Sequence, residues 1–393
     1  MQREVIVASA VRTAIGSFGG SLKDHAPTEL ATLVTREALA RARVGLGEVG
    51  HVVFGHVIHT EARDMYLARV AAVQAGIAHA TPALTLNRLC GSGLQAIVSA
   101  AQSILLGDAD IAVAGGAENM SRAPHLCGSM RWGTRMGDAK MVDMLTGALT
   151  DPFGGEHMGG TAENVAERYG ITRAEQDALA AESHRRAADA IAAGYFKEQI
   201  LPITLAGRKQ PVVFDTDEHV RVDTTADKLA SMRPVFRKDG TVTAGNASGI
   251  NDGAAALVLM ERGLAEERGM RPLARLVSYG HAGVDPSYMG IGPVPATRAA
   301  LRRAGLAIED MDVIEANEAF AAQACAVARE LGLDPARVNP NGSGIGLGHP
   351  IGATGAIIGV KAIHELQRRG GRYALATMCI GGGQGIAAIF ERI

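Results

Sequence analysis

Asn87-Arg88-Leu89-Cys90-Gly91-Ser92-Gly93 decides how this chain is read. A short extended run, Pro82 to Leu86, leads into it. Apolar residues at helical spacing follow: Leu94, Ile97, Val98, Ala101, Ile104 and Leu105. Gly107 stands where a helix C-cap is expected. The spacing therefore predicts a strand, a turn and a helix, with Cys90 just ahead of the helix N-terminus. Free N–H groups and the positive end of the helix dipole favour a thiolate there. Gly91 and Gly93 remove side-chain bulk, so a substrate carbonyl could approach the backbone closely. A buried, inert cysteine fits the same seven residues.

Working outward, the 393 residues suffice for two or three domains. The chain is 47% hydrophobic and 20% charged, as expected of a globular protein with a large core. A net charge of −2 gives no global attraction to nucleic acid or to an anionic membrane. The 49 glycines sit in short clusters between apolar runs, which implies tight turns and close backbone packing. Cys90, Cys127, Cys325 and Cys379 show neither metal-ligand spacing nor a dense disulfide pattern, so reduced thiols, no metal and a cytoplasmic setting are expected. Residues 1–7 lack a long apolar segment of the signal-peptide kind, and no apolar run of membrane-spanning length is evident.

Along the chain, Val5 to Ala10 reads as a buried strand. A helix with Thr28 as N-cap runs to Arg43, Val52 to Ile58 is a strand, and Asp64 to Gln74 is helical. The Cys90 unit follows, then a strand from Asp110 ending at Gly115-Gly116. The last third repeats the order. It has a strand at Ala274 to Tyr279, a helix at Ala296 to Ala304, a strand at Asp312 to Ala316 and a helix at Ala319 to Leu331. A Gly-rich turn then leads into a helix ending at Arg369, and a strand runs from Tyr373 to Met378. Gly253 aligns with Gly383, and Ala255 to Arg262 aligns without a gap with Gly385 to Arg392, both ending in Glu-Arg. These matches predict a duplicated α/β unit. The expected division is residues 1–120 with 247–272 as the first half, an insertion at 121–246, and 273–393 as the second half. The insertion holds charged clusters, Arg208-Lys209 among them. It also holds one clear helix, opened by a capping box at Thr172-Arg173-Ala174-Glu175 and closed by Gly194. It is placed as a lid or substrate-binding region.

Three further sites fall at strand ends. Gly342 to Gly352 carries His349 among glycines ahead of a helix, in a position like that of Cys90 in the first half. It lacks the ending of a Walker phosphate loop. Cys379 precedes Gly381-Gly382-Gly383, whose N–H groups suit an oxyanion hole. Asn317 follows a strand and is either a helix N-cap or a site residue. Ligands of α/β sheets bind at the carboxyl ends of the strands. Two thiols and an imidazole at one such edge suit acyl transfer, with one thiolate attacking a thioester, the histidine activating it and the second thiol moving a proton.

These residues resemble the thiolase family over essentially the whole chain. The blocks that carry the resemblance are Asn87 to Gly93, Gly115 to Ser121, Asn317 to Ala321, Gly348 to Gly352 and Cys379 to Gly385. The resemblance implies a thiolase-like fold, two α/β halves in a layered αβαβα core with an inserted loop domain. It also implies an acetyl-CoA C-acyltransferase of the broad-specificity bacterial β-ketothiolase type, linked to polyhydroxyalkanoate precursor supply. Cys90 would carry the acyl group with His349 as activator, and Cys379 would deprotonate the second acetyl-CoA. Asn317 would hold a water that completes one oxyanion site with His349, and the N–H groups of Cys90 and Gly381 would form the other. Coenzyme A, as substrate and not as a resident cofactor, would meet Leu149, His157, Met158, Arg221, Ala247, Ser248, Met289, Ala319 and Phe320. The family implies a homotetramer, a dimer of dimers, binding neither nucleic acid nor membrane. Ketoacyl synthase, degradative thiolase and a non-catalytic thiolase-like lipid carrier are the alternatives. Cys379 argues against the first, and the intact Cys90, His349 and Cys379 against the last. The run Gly342-Ser343-Gly344-Ile345-Gly346 departs from the family's usual Gly-Gly-Ala-Ile-Ala, which is expected to alter acyl-chain room. Lys228 departs from a small hydroxyl residue near CoA.

Overall fold

A computed structural model describes residues 3–207 and 210–393, so the Arg208-Lys209 pair lies outside the described residues. Nine strands form the main path of one sheet. They are β1 (Val5–Thr13), β2 (His51–Gly55), β3 (Ala83–Leu86), β4 (Ile111–Asn119), β5 (Asn251–Glu261), β6 (Ala274–Gly283), β7 (Val313–Ala316), β8 (Tyr373–Ile380) and β9 (Gln384–Glu391). Their order is β7-β8-β9-β6-β1-β5-β4-β2-β3. The larger helices are α1 (Pro27–Ala42), α2 (Leu67–Ala75), α3 (Ser92–Leu106), α4 (Met158–Tyr169), α5 (Arg173–Ala192), α6 (Pro293–Ala304), α7 (Ala321–Leu331) and α8 (Ile351–Arg369).

The duplication is written into the pairing. In the first half β3–β2 and β2–β4 are parallel, while β4–β5 and β5–β1 are antiparallel. In the second, a parallel bridge at Val338 stands for β3, β7–β8 is parallel, and β8–β9 and β9–β6 are antiparallel. Val5 faces Glu261 as Arg275 faces Glu391. Each half even carries a bulge just before a serine, between Val7 and Ser9 and between Leu276 and Ser278. The halves meet where β1 pairs briefly with β6, Ile6 with Arg275 and Val7 with Ala274.

Strands buried on both faces need near-continuous apolar sequence, and β4, β5, β8 and β9 supply it. α1 covers one face of the first half and α6 one face of the second, while α3 and α8 pack against each other on the inner faces. Between β8 and β9 lies only the Gly381–Gly383 turn. At the matching place in the first half, residues 120–250 separate β4 from β5.

Four expectations need correction. Thr28 is not the N-cap of α1; the helix starts at Pro27 with Ala26 at the cap, because proline is pre-organised for the first helical position. Asn317 is no cap either, since α7 begins at Ala321 behind Phe320. The segment between β4 and β5 holds a second full helix, α4, besides the α5 that Thr172 and Glu175 open. Finally, Leu89–Leu106 does reach spanning length with a mean hydropathy of 1.4; it is mostly buried as the core helix α3.

Candidate active site

The Cys90 turn is built from its own side chains. Asn87 Oδ1 accepts from the Leu89 N–H at 2.8 Å. The Ser92 hydroxyl accepts from the Arg88 N–H at 2.8 Å and donates to the Leu89 carbonyl at 2.7 Å. Leu89 is held at a φ of 45°, a left-handed conformation that an L side chain adopts at a penalty of about 1–2 kcal/mol. The strained turn leaves the half-buried Cys90 at the edge of the sheet, one residue ahead of the Gly91 cap of α3. Its sulfur is faced by the N–H of Gly381 and by its own N–H.

Burial works against the expected thiolate. Burial pushes the Cys90 thiol up to about 11; the charge of Glu118 adds to this, and the two N–H groups only partly oppose it. A helix end is worth about 0.3–1 kcal/mol, and up to about 2 kcal/mol in a partly buried geometry, whereas a rise of this size in a thiol corresponds to roughly 3 kcal/mol. Burial wins. The Cys379 thiol, at the end of β8, is pushed up further still, first by burial and then by the neighbouring Cys90.

The glycines of the Cys90 motif have a packing task. A Cβ on Gly93 would lie 2.5 Å from the Ala356 nitrogen, and one on Gly355 would lie 2.2 Å from the Leu94 nitrogen. The two inner helices therefore cross backbone to backbone through reciprocal glycines, and side-chain bulk at either would force them apart. Gly91 sits against Ile380 and Ile386. This crossing brings the start of α3, behind Cys90, against the start of α8, behind His349.

His349 is buried and oriented from both sides. Its N–H donates to Asn251 Oδ1 at 2.9 Å, and Gly348, at a φ of 109°, lets Asn251 approach that closely. Its Nδ1 lies 2.6 Å from the Thr354 hydroxyl, which donates its one hydrogen to the Pro350 carbonyl at 2.9 Å. The hydroxyl can then only accept from the ring, so Nδ1 carries the proton and Nε2 offers a bare lone pair. Burial lowers the imidazole to about 4, which keeps it neutral at rest. Among the described residues Nε2 has no hydrogen-bond partner, and neither Oδ1 nor Nδ2 of the buried Asn317 has one. Buried polar atoms left without partners are penalised by about 1–3 kcal/mol each, so three of them point to a substrate or water.

The residues expected around CoA divide. Met158, Met289, Ala319, Phe320 and Cys379 form one buried cluster, with Ala247 packed on it. The Ser248 N–H donates to the Ala319 carbonyl at 2.9 Å, and the Met158 N–H to the Leu149 carbonyl at 2.8 Å. His157 caps α4, its Nδ1 accepting from the Gly159 N–H at 3.0 Å. Arg221 stands apart with an exposed side chain, its N–H on His184 Nδ1 at 3.2 Å. Lys228 is engaged by Asp223 at 2.6 Å. In the divergent glycine run, Gly342 and Gly346 press on Ser183 of α5 while Gly344 touches Asn317 Oδ1. The run thus bears on α5 and on Asn317.

Two features went unseen in the sequence. Phe236 stacks on His157 with centroids 4.8 Å apart and meets Phe320 edge-on. Glu118 accepts from the N–H groups of Val57, Ile58 and Gly352. A lone aromatic in a charged loop gave no signal for the first. The Gly115 to Ser121 block was the signal for the second.

Two adjacent thiols at the edge of a duplicated, layered α/β core define a protein of the thiolase-like fold. The chain belongs to the thiolase family: its N-terminal domain model matches residues 5–263 and its C-terminal domain model residues 270–392. The chain is 72% identical to a β-ketothiolase, BktB, of Cupriavidus necator, with both chains covered completely, and 53% identical to an acetyl-CoA acetyltransferase of Pseudomonas aeruginosa over 99% of this chain and 100% of that one. Among solved structures it matches the acetyl-CoA acetyltransferase of Bacillus anthracis with a TM-score of 0.97 and 51% identity, covering 100% of this chain and 99% of that one. It matches the human mitochondrial 3-ketoacyl-CoA thiolase in complex with CoA with a TM-score of 0.97 and 46% identity, covering 100% and 98%.

Proposed function

We propose that this thiolase is a β-ketothiolase. It joins an acyl-CoA to acetyl-CoA in a reversible Claisen condensation, giving a 3-ketoacyl-CoA and free CoA through an acyl-Cys90 intermediate. The adjacency of two thiols of raised proton affinity carries this reading; the names of the relatives support it.

In the first half-reaction His349 Nε2 takes the Cys90 proton and the sulfur attacks the acyl carbonyl. The carbon–sulfur bond to CoA breaks, and Cys379 gives its proton to the departing CoA sulfur. That leaves Cys379 as a thiolate, and a buried thiolate of high proton affinity is the base that a methyl group beside a thioester requires. In the second half-reaction Cys379 removes that methyl proton. The enolate attacks acyl-Cys90, and the Cys90 sulfur leaves and recovers its proton from His349. The N–H groups of Cys90 and Gly381 suit the tetrahedral oxyanion, and Asn317 with His349 suits the enolate oxygen.

CoA enters as substrate past Leu149, His157, Met158, Ala247, Ser248, Met289, Ala319 and Phe320, with Arg221 at the adenine end. The segment 121–246 acts as the CoA-binding loop domain between halves at 1–120 with 247–272 and 273–393. Short 3-ketoacyl-CoA products, a cytoplasmic location and a homotetramer built as a dimer of dimers complete the reading. The exposed Met130, Trp132 and Met136 supply an apolar surface for such assembly.

Incubation with acetyl-CoA followed by mass spectrometry tests it. Cys90→Ala is expected to take no acetyl group at the active-site peptide. Cys379→Ala is expected to acetylate at Cys90 and form no acetoacetyl-CoA. An adduct persisting in the first variant, or condensation by the second, would sink the assignment.

A further inference from the structure

A buried ionic unit lies behind the site and takes no part in the steps above. His56, Asp64 and Glu118 are all fully buried. His56 Nδ1 is 3.2 Å from Glu118 Oε1 and 2.9 Å from the Ala117 carbonyl, and its Nε2 is 3.8 Å from Asp64 Oδ2. Burial disfavours the imidazolium, but the charge of Glu118 and the contact with Asp64 outweigh it and hold His56 up to about 10. Removing one member of a buried ion pair leaves the other uncompensated, so the unit has a reason to stay whole.

Glu118 joins three pieces of backbone that the sequence keeps far apart. It ends β4. Its Oε2 accepts from the Gly352 N–H in the first turn of α8 at 2.8 Å and from the Val57 N–H at 3.1 Å. Its Oε1 accepts from the Ile58 N–H at 3.1 Å. Ile58 and Ile351 share a buried cluster on which Cys90 packs. A Cβ on Gly352 would lie 2.4 Å from Oε2, so this glycine is what admits the carboxylate.

We propose that Glu118 is a positioning residue for acyl transfer, tying the start of α8, behind the turn that carries His349, to the Val57–Ile58 segment that shares the cluster on which Cys90 packs. The proposal rests on the thiolase reading above. A second consequence is electrostatic. Glu118 places a negative charge near Cys90 and so favours the protonated thiol until substrate binds. The charged or titratable groups facing Glu118 are His56 and Asp64 from the segment after β2, with His59 stacked on His56, and Cys90 from its turn.

The test is Glu118→Gln, which keeps the shape and removes the charge, alongside the double variant His56→Gln/Glu118→Gln, which removes both charges together. Two readouts separate positioning from mere stabilisation. For thiolysis of acetoacetyl-CoA, kcat is expected to fall about 10²-fold with KM changed about threefold or less. For alkylation by iodoacetamide, read at the Cys90 peptide, the midpoint is expected to move to lower pH in Glu118→Gln and by less in the double variant. A folded variant with wild-type kcat and an unmoved midpoint would overturn the proposal. So would failure of both variants to fold, which would place the unit in stability alone. Wild-type protein inactive on acetoacetyl-CoA would instead remove the thiolase reading.

Discussion

The turn ahead of α3 and the turn ahead of α8 are the same device used twice. Each leaves a strand-side position of its half, each carries one side chain proposed to react, and each feeds a helix that crosses the other through a glycine. They differ in how that side chain is held. The Cys90 turn is self-contained, fixed by Asn87 and Ser92 within seven residues. The His349 turn is fixed from within by Thr354 and the Pro350 carbonyl, and also from outside, by Asn251 of β5 and Glu118 of β4 in the other half. In the proposed roles, the nucleophile needs its sulfur presented at the right edge, while the base needs a chosen tautomer, which Thr354 sets, on a backbone that the outside contacts hold.

The comparison breaks most sharply at His349. His349→Ala removes the only lone pair oriented by Thr354, and kcat is expected to fall about 10²–10⁴-fold. Asn317→Ala leaves the base intact and removes one oxyanion-side group, with an expected loss of about 10²–10³-fold. Rapid-quench measurement of Cys90 acetylation distinguishes them. His349→Ala slows acetylation itself, whereas Asn317→Ala chiefly slows the condensation that follows. Equal slowing of acetylation in both would dissolve the distinction between the two groups.

The helix crossing is the next place to press. Gly93→Ala and Gly355→Ala each put a methyl group against the partner's backbone, which cannot move aside cheaply. Each is expected to destabilise by about 1–3 kcal/mol. Gly359→Ala is the control, because its Cβ would meet only the mobile end of Ile97 at 3.1 Å. Thermal unfolding of the three variants should place the first two together, well below the third. A large difference between Gly93→Ala and Gly355→Ala would mean that the two halves are not mechanically equivalent.

The difference between the turns also explains what was legible in the chain. Local patterns announced the strands, the α3 and α8 caps at Gly107 and Gly370, and the capping box of α5, because those depend on neighbours in sequence. The repeat was legible because pairing register needs matched apolar runs, down to Glu261 and Glu391. Long-range effects were not. Nothing near Cys90 in sequence says that burial would defeat the helix dipole, and nothing near Gly93 says that Ala356 would sit on it. Glu118, His56 and Gly352 lie in three separate segments, and only the folded chain shows that one carboxylate joins them.

The smallest effect is expected at the periphery, at Arg221. Its side chain is exposed, so its attraction for a phosphate-bearing ligand is screened by water and salt. Its backbone, by contrast, is pinned: the N–H sits on His184, which stacks on His219, and a Cβ on Gly249 would touch that ring at 2.4 Å. Arg221→Ala should therefore keep the loop in place and remove only the charge. Raising KM for CoA by about two- to fivefold with kcat unchanged is the expected outcome, in line with less than about 1 kcal/mol for a solvated ionic contact. The difference from wild type should shrink as salt is raised, since the Debye length falls from about 10 Å at 0.1 M to about 3 Å at 1 M. A fall in kcat would instead show that the pinned loop transmits to the His349 turn through His219 and Asn251, and that the outer contacts of that turn reach further than the two halves of the core.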